Sequence, residues 1–187
     1  IEIPETTPEL TTEDPERSAM GQGTNSYSNV QLSRYVAAIA NSGTVYDLSL
    51  LDKMTDSEGN LIKDFTPEVT GHVDIADSTW DAVHQGMRAV VTDGSVNKIF
   101  KDLEVEIAGK TGTAQESRTR GNHAFFISYG PYTNPEICVT VNIPYGYSSS
   151  NAAMVAKNVY RFYYGYTDLD SILGNGALEV SNVRVGD

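Results

Sequence analysis

The residues with the clearest chemical potential are Lys110, Thr111, Gly112 and Thr113, consecutive in the segment AGKTGTAQ. In a strand, Thr111 and Thr113 point to the same side, where two hydroxyls could hold a substrate carboxylate. Lys110 supplies positive charge for such an anion, and the Thr113 N–H could donate into an oxyanion hole. Gly112 leaves space for a peptide-like substrate, which could add to an exposed sheet edge as a further strand. Together these residues indicate acyl transfer.

The same alternation places Lys110 on the opposite face from the two threonines, so its long side chain must curl around the strand edge to join them. The alternative is that Lys110 is an ordinary solvated lysine and Gly112 marks a bulge. The tripeptide alone favours this alternative, because so short a motif also occurs by chance.

Alternating apolar and polar residues predict the strands that must position this motif. Leu103 to Ile107 alternate in this way and lead directly into Ala108, which predicts a strand with one buried face. A second strand is expected at His123 to Tyr129 and a third at Ile137 to Ile143, with Cys138 on the face away from the valines.

Three helices are predicted around these strands. The first has Ser28 as N-cap with Gln31 three positions later and ends near Gly43; the second begins at Asp77 or Ser78 and ends before Gly94. The third is capped by Ser150 or Asn151 and stops at Gly165. Apolar stripes predict the buried faces: Leu32, Tyr35, Val36, Ile39 and Ala40; Trp80, Val83, Met87, Val90 and Val91; Ala152, Val155, Ala156, Val159, Phe162 and Tyr163.

The predicted architecture is α+β, with an antiparallel sheet of three clear strands covered by helices on one face. Two short strand-like runs between Val45 and Phe65 surround a Gly- and Asn-containing turn and predict a hairpin. We divide the chain into an acidic arm or loop at residues 1–17, a domain at 18–165 and a tail at 166–187. The tail contains a Gly-Asn-Gly turn and a possible strand at Leu178 to Val185.

Composition excludes several function classes. The chain has 187 residues and a formal net charge of −12, which disfavours nucleic acid as a partner. Cys138 is the sole cysteine, so neither an internal disulfide nor a cysteine-based metal cluster can form. The apolar stretches are shorter than the roughly 20 residues of a membrane-spanning helix.

The sequence begins at Ile1 without a charged and then apolar leader, so we expect a piece of a longer protein.

The remaining chemical candidates are weaker. His84 and His123 have no second ligand at metal spacing, which favours ordinary hydrogen-bonded or solvent-facing histidines and no metal. A group of aromatic residues could stack on bases, but helical packing explains most of it; its members are Tyr160, Phe162, Tyr163 and Tyr166.

The segment AGKTGTAQ resembles the Lys-Thr-Gly motif of penicillin-binding proteins, which class A β-lactamases share. Four more segments resemble blocks of the same family in the same order: SAMGQG at 18–23, SNVQLSRYVAAIANSG at 28–43, NHAFFISYGP at 122–131 and EICVTVNIPYG at 136–146. From Arg17 to Gly165 the chain is similar to the C-terminal part of the transpeptidase domain of class B penicillin-binding proteins of the cell-elongation type.

The family's nucleophile motif Ser-x-x-Lys and its Ser-x-Asn motif both precede Lys-Thr-Gly, and neither is in its proper place here. Ser95-Val96-Asn97-Lys98 satisfies both patterns, but one serine cannot fill two positions, and Ser95 follows Gly94 in a predicted loop. Ser149-Ser150-Asn151 follows Lys-Thr-Gly and is better explained as a helix cap. We therefore expect the nucleophile on upstream sequence.

The resemblance implies a peptidoglycan D,D-transpeptidase at the extracytoplasmic face of the bacterial membrane, without a cofactor. It assigns Lys110 to proton transfer, Thr111 and Thr113 to the substrate carboxylate, and Gly112 with the Thr113 backbone to the oxyanion hole. Stem peptides and β-lactams would be ligands of the parent, and the missing N-terminal part would be a partner. The chain alone should be inactive, with an exposed strand edge that favours self-association or marginal stability. A non-catalytic binding module and a β-lactam sensor or hydrolase are the alternatives.

Overall fold

A computed structural model describes residues 7, 15–19, 21–22, 26–116 and 118–174. The predicted strand at Leu178 to Val185, most of the Gly-Asn-Gly turn and most of the acidic arm lie outside these residues. The elements in chain order are α1 Pro15–Ala19, α2 Asn29–Ala40, β1 Thr44–Tyr46, β2 Lys53–Thr55, β3 Leu61–Asp64, β4 Val69–His72, α3 Asp77–Thr92, α4 Asn97–Phe100, β5 Ala108–Ala114, β6 His123–Gly130, β7 Ile137–Ile143, α5 Ser149–Tyr163 and α6 Leu169–Leu173.

The main sheet is antiparallel with the order β5-β6-β7, which confirms the α+β architecture and its three clear strands. One row across the sheet contains Lys110, Ile127 and Thr140, and the next contains Thr111, Phe126 and Val141. Because side chains alternate along each strand, these two rows face opposite sides of the sheet.

The strand predicted from Leu103 begins only at Ala108, so that boundary was wrong. Leu103 and Val105 do pack against the core, and Ile107 is fully buried within it. The segment makes no strand pairing; the carbonyl of Ile107 accepts a 2.8 Å hydrogen bond from the Arg88 guanidinium. The alternation of residues 103–107 therefore reflects packing against the core, because this segment does not pair with another strand.

Helices cover both faces of the sheet, and the prediction of one covered face was wrong. On one face, Phe126 and Val139 belong to a buried cluster with α4 and α5. On the other face, Ala108 and Tyr129 pack with α2 and α3, including Trp80. The second layer of helices was missed because the sequence of one strand does not show whether its more polar face is exposed to solvent or partly covered by a helix.

The buried face of α5 differs from the prediction. Its buried residues are Ala152, Ala153, Ala156 and Tyr160, whereas Val155, Val159, Phe162 and Tyr163 are exposed. The small alanines let the helix backbone approach the sheet closely, so the larger apolar side chains point away. The N-cap is Ser148 and not Ser150 or Asn151, since the Ser148 hydroxyl accepts the Ser150 N–H at 3.3 Å.

The other predicted helix ends are confirmed. Ser28 and Gln31 form a capping box, in which the Ser28 N–H donates to the Gln31 side chain at 2.8 Å. Gly43 follows α2 with a φ of +111°, and a Cβ there would lie 2.6 Å from the carbonyl oxygen of Val73. Only glycine fits that turn without rearrangement. One stripe residue of α2, Tyr35, is exposed.

The hairpin predicted between Val45 and Phe65 is confirmed as β2 and β3. Its turn is organised by Asp56, whose carboxylate accepts the backbone N–H groups of Glu58 and Asn60. Hydrogen bonds, first of all from the Asn60 side chain, lower the pKa of Asp56. A second pair of short strands, β1 with β4, was not predicted, because these strands carry no regular alternation.

Candidate active site

The Lys-Thr-Gly-Thr segment lies in β5, at an edge of the main sheet. Within the described part of the chain, β5 pairs with β6 alone, so its other side is open. The pairing runs without a shift from Ala108 to Ala114, which rules out the bulge considered at Gly112. Lys110 and Thr113 are exposed. An extended ligand could therefore approach this strand along its free side.

The faces of β5 separate the lysine from the threonines, as alternation predicts. Lys110 pairs with Ile127, on the side of the sheet covered by α2 and α3. Thr113 pairs with Ala124, on the α5 side. The Lys110 ammonium nevertheless turns back to its own strand, where it donates a 2.8 Å hydrogen bond to the backbone carbonyl of Thr111. The positive charge thus lies beside the backbone of the motif.

Two glycines near Lys110 are closely packed, Gly109 more tightly than Gly112. A Cβ at Gly109 would lie 2.6 Å from the Phe126 ring, and one at Gly112 would lie 3.1 Å from the Cβ of Phe125. Gly112 therefore leaves the Lys110 face of β5 without a side chain, and a Cβ there would be in tight contact with Phe125.

A hydrogen-bonded group at the far end of β5 was missed by the sequence analysis. We call it the Glu116 cluster, and it comprises Glu116, Arg120, His123 and Tyr145. One carboxylate oxygen of Glu116 lies 3.0 Å from His123 Nε2 and accepts the Tyr145 hydroxyl at 3.1 Å. The Arg120 guanidinium donates to that hydroxyl at 2.8 Å. The hydrogen bond with His123, followed by that from Tyr145, lowers the pKa of Glu116.

Both histidines considered as metal ligands have hydrogen-bonding partners. His123 belongs to the Glu116 cluster, and His84 Nε2 lies 2.7 Å from the carbonyl oxygen of Ile39. Across the described ranges, no three His, Cys, Asp or Glu side chains gather in a way that could hold a metal ion.

The structure does not bring the two serine candidates to Lys110. Ser95 is exposed in the turn between α3 and α4. Its neighbour Val96 is buried in the cluster on the α5 side of the sheet, opposite the side that Lys110 faces. Ser150 and Asn151 lie in the first turn of α5, where the Asn151 amide donates to the carbonyl of Gly146 at 2.8 Å.

An open groove of about 490 Å³ runs along the outer edge of β7, between α2 and α5. Its lining comprises residues 137–142 of β7 together with Asn29, Ser33, Val155 and Val159. Cys138 lies in this groove, and burial raises the pKa of its thiol to about 11. A thiol of that pKa is protonated at neutral pH and is a poor nucleophile.

Fold and site define an α+β domain in which helices cover both faces of an antiparallel sheet and an open edge strand presents Lys-Thr-Gly-Thr. The family model described as the penicillin-binding protein transpeptidase domain matches residues 1–161. The chain therefore belongs to the penicillin-binding protein transpeptidase domain family, and the resemblance noted in its sequence is confirmed.

Individual relatives agree with this assignment. The chain is 31% identical over 163 residues to penicillin-binding protein 2B of Streptococcus pneumoniae, covering 80% of this chain and 24% of that protein. It is 30% identical over 171 residues to peptidoglycan D,D-transpeptidase MrdA of Haemophilus influenzae, covering 77% of this chain and 25% of that protein. The chain thus spans about a quarter of the length of these relatives.

A solved structure of penicillin-binding protein 2B from Streptococcus pneumoniae superposes with a TM-score of 0.74 at 26% identity, covering 86% of this chain and 28% of that one. In the described segments, no helix combines the length and apolar character needed to cross a membrane.

Proposed function

We propose that this chain is the C-terminal part of the catalytic domain of a longer peptidoglycan D,D-transpeptidase, and that β5 forms one wall of its active site. The observation that carries the proposal is the open edge of β5, where a member of this family displays Lys-Thr-Gly-Thr. An exposed strand bearing a cation, hydroxyls and a glycine suits a peptide that ends in a carboxylate.

In the proposed reaction, an upstream serine hydroxyl attacks the penultimate D-alanine carbonyl of a stem peptide. The C–N bond to the terminal D-alanine breaks, and this residue leaves as the free amino acid after taking up the proton that the serine lost. An amine of a neighbouring stem peptide then attacks the acyl-serine ester, which forms the cross-link and regenerates the serine. A β-lactam acylates the same serine through ring opening.

The residues of β5 take separate roles in this proposal. The exposed Thr113 hydroxyl binds the substrate carboxylate, together with Thr111. The Lys110 ammonium, held near the strand backbone, provides positive charge for the carboxylate and for proton transfer at the serine. The N–H of Thr113 donates to the developing oxyanion, and Gly112 leaves the approach to it open.

The upstream part of the parent is the proposed partner of the β7 edge. In the family's sheet, strands from the N-terminal portion continue the central sheet, and β7 offers an unpaired edge with a groove beside it among the described residues. Exposed Val155 and Val159 extend the apolar surface that such a segment would cover. The assembled parent would act at the extracytoplasmic face of the cell membrane.

The test is the acylation rate of the longer parent protein by a fluorescent penicillin. Losing one hydrogen bond to a charged group costs about 1.5–3 kcal/mol, which is roughly ten- to a hundredfold in rate. Thr113→Ala and Lys110→Ala should therefore each slow acylation by about ten- to a hundredfold. Thr55→Ala, on the exposed strand β2, is the matched control and should leave the rate unchanged.

Three outcomes would count against the proposal. Unchanged acylation in Thr113→Ala would remove that residue from the site. Absence of acylation in the unsubstituted parent would favour the non-catalytic binding module. Rapid release of hydrolysed penicillin would favour a β-lactam hydrolase.

A further inference from the structure

The Glu116 cluster joins the ends of all three strands of the main sheet. Glu116 follows β5 by two residues, His123 begins β6, and Tyr145 follows β7 by two residues. His123 pairs with Ala114, the neighbour of Thr113 along β5. The cluster therefore lies next to the proposed carboxylate-binding residue without belonging to the Lys-Thr-Gly motif.

The hydrogen-bond geometry of the Glu116 cluster shows which group donates and which accepts. The backbone N–H of Tyr145 can only donate, and it lies 3.3 Å from His123 Nδ1, so that nitrogen accepts. Nε2 then carries the ring proton and donates it to Glu116. The Tyr145 hydroxyl accepts from Arg120 and also donates to Glu116. The Glu116 carboxylate is thus the common acceptor that holds the group together.

The cluster also holds Tyr145 in a backbone conformation that tyrosine rarely adopts. Its φ is +54°, in the left-handed region that disfavours residues with a Cβ. The ring lies with its centroid 4.9 Å from that of His123, and the Arg120 guanidinium lies 5.3 Å from its centre. Such a conformation persists only where surrounding contacts enforce it.

We propose that Glu116 is a positioning residue that clamps the loop after β7 to the end of β5 and so holds Thr113 in place for carboxylate binding. The role of Thr113 in this statement rests on the proposed function. The clamp itself is a property of the chain and can be measured without catalysis.

Hydrogen–deuterium exchange of the full 187-residue chain, resolved by peptide mass spectrometry, tests the clamp. Glu116→Ala should speed exchange about tenfold in the peptides that contain residues 111–116 and 144–147, because local opening becomes easier. Glu116→Gln should stay within about twofold of the original, because its amide oxygen can accept the same two hydrogen bonds. Tyr145→Phe removes one of these bonds and should lie between them.

Glu136→Ala is the matched control. Glu136 also accepts a tyrosine hydroxyl, that of Tyr164 at 3.4 Å, but it lies at the opposite end of the sheet. This substitution should leave exchange at 111–116 unchanged. Equal exchange there in Glu116→Ala, Glu136→Ala and the unsubstituted chain would overturn the clamp.

Acylation of the longer parent by a fluorescent penicillin tests the consequence for Thr113. Glu116→Ala should lower the second-order rate constant about tenfold, and Glu116→Gln should restore most of it. Faster hydrogen–deuterium exchange in Glu116→Ala together with an unchanged acylation rate would overturn the positioning role. Absence of acylation in the unsubstituted parent would instead contradict the proposed function, and the exchange comparison would still decide the clamp.

Discussion

The ammonium of Lys110 lies 2.8 Å from the backbone carbonyl oxygen of Thr111, the next residue of β5. The side chain leaves the strand on the α2 and α3 side and returns to the strand backbone. Lysine has four methylene groups, which allow this path, whereas a shorter basic side chain would stay on its own face. The charge of the motif thus lies at the strand backbone, while the two threonines face the opposite side of the sheet.

Gly109 should resist substitution, because β5 and β6 are tightly packed at that position. A Cβ there would lie 2.6 Å from the Phe126 ring and 2.9 Å from the carbonyl oxygen of Ile127. Gly109→Ala should lower the free energy of unfolding by about 1–3 kcal/mol through overpacking. Gly86→Ala, in the interior of α3 with open space around its Cβ, should raise it by about 0.5–1 kcal/mol. The midpoint of urea denaturation should fall for Gly109→Ala and rise for Gly86→Ala. Midpoints that move in the same direction in both variants would contradict this account.

Tyr160 anchors α5 to the sheet through a buried hydrogen bond. Its hydroxyl donates to Ser128 Oγ at 3.0 Å, and that hydroxyl donates to the carbonyl of Val139 at 3.2 Å. Tyr160→Phe keeps the ring and removes one bond, which should cost about 1 kcal/mol. Tyr163→Phe, at a side chain that is 54% exposed, should leave the denaturation midpoint unchanged. Equal midpoints for both variants would show that the hydrogen bond contributes nothing.

The ion pair between Asp102 and Lys157 should make the attachment of α5 dependent on pH. The two charged groups are 2.7 Å apart, and the hydrogen bond from Lys157 is the largest of the causes that lower the pKa of Asp102. A carboxyl whose pKa is lower in the folded state stabilises the fold above its usual value of 3.8, and that stabilisation is lost as pH falls below it. Asp102→Asn should therefore lower the Tm at pH 7 and lose its effect near pH 2. A deficit of equal size at both pH values would contradict an electrostatic origin.

The chain studied alone should self-associate through the β7 edge. Among the described residues, the outer edge of β7 is unpaired and lies beside apolar side chains, which favours pairing with another copy. Val159→Lys places a charge in that groove and should shift the sedimentation profile toward monomer. Leu61→Lys, on the hairpin at a side chain that is 63% exposed, is the control and should leave it unchanged. A monodisperse, cooperatively unfolding monomer in the unsubstituted chain would show that the fragment is a domain in its own right.

Local signals account for the parts of the fold that could be predicted. The Ser28 cap and its partner Gln31 are three residues apart, and strict alternation marks Ile137–Ile143. Alternation alone could not show whether a segment pairs with a strand, which is why Leu103 to Ile107 was misassigned. The buried face of α5 was missed because Ala153 contributes by its small size and Tyr160 by its hydroxyl, and a search for large apolar side chains detects neither.

In the candidate site, too, contacts between neighbours in sequence could be predicted, whereas contacts between distant residues could not. Lys110 to Thr113 are contiguous, so their strand and its alternating faces could be predicted from neighbouring residues. The Glu116 cluster could not, because Glu116 and Tyr145 are 29 positions apart and meet only through the registers of three strands. His123 was predicted to begin a strand and was weighed as a metal ligand, but nothing in its sequence neighbourhood indicates that it would meet Tyr145.

The most direct test of the central claim is the intact mass after incubation with excess benzylpenicillin, measured for this chain and for the longer parent. We expect a mass increase of one penicillin on the parent and none on this chain, because we propose that β5 supplies one wall of the site and that the nucleophile lies on upstream sequence. A covalent adduct on this chain would mean that one of its own serines, Ser95 foremost, is a working nucleophile, and it would contradict the proposed division of the site.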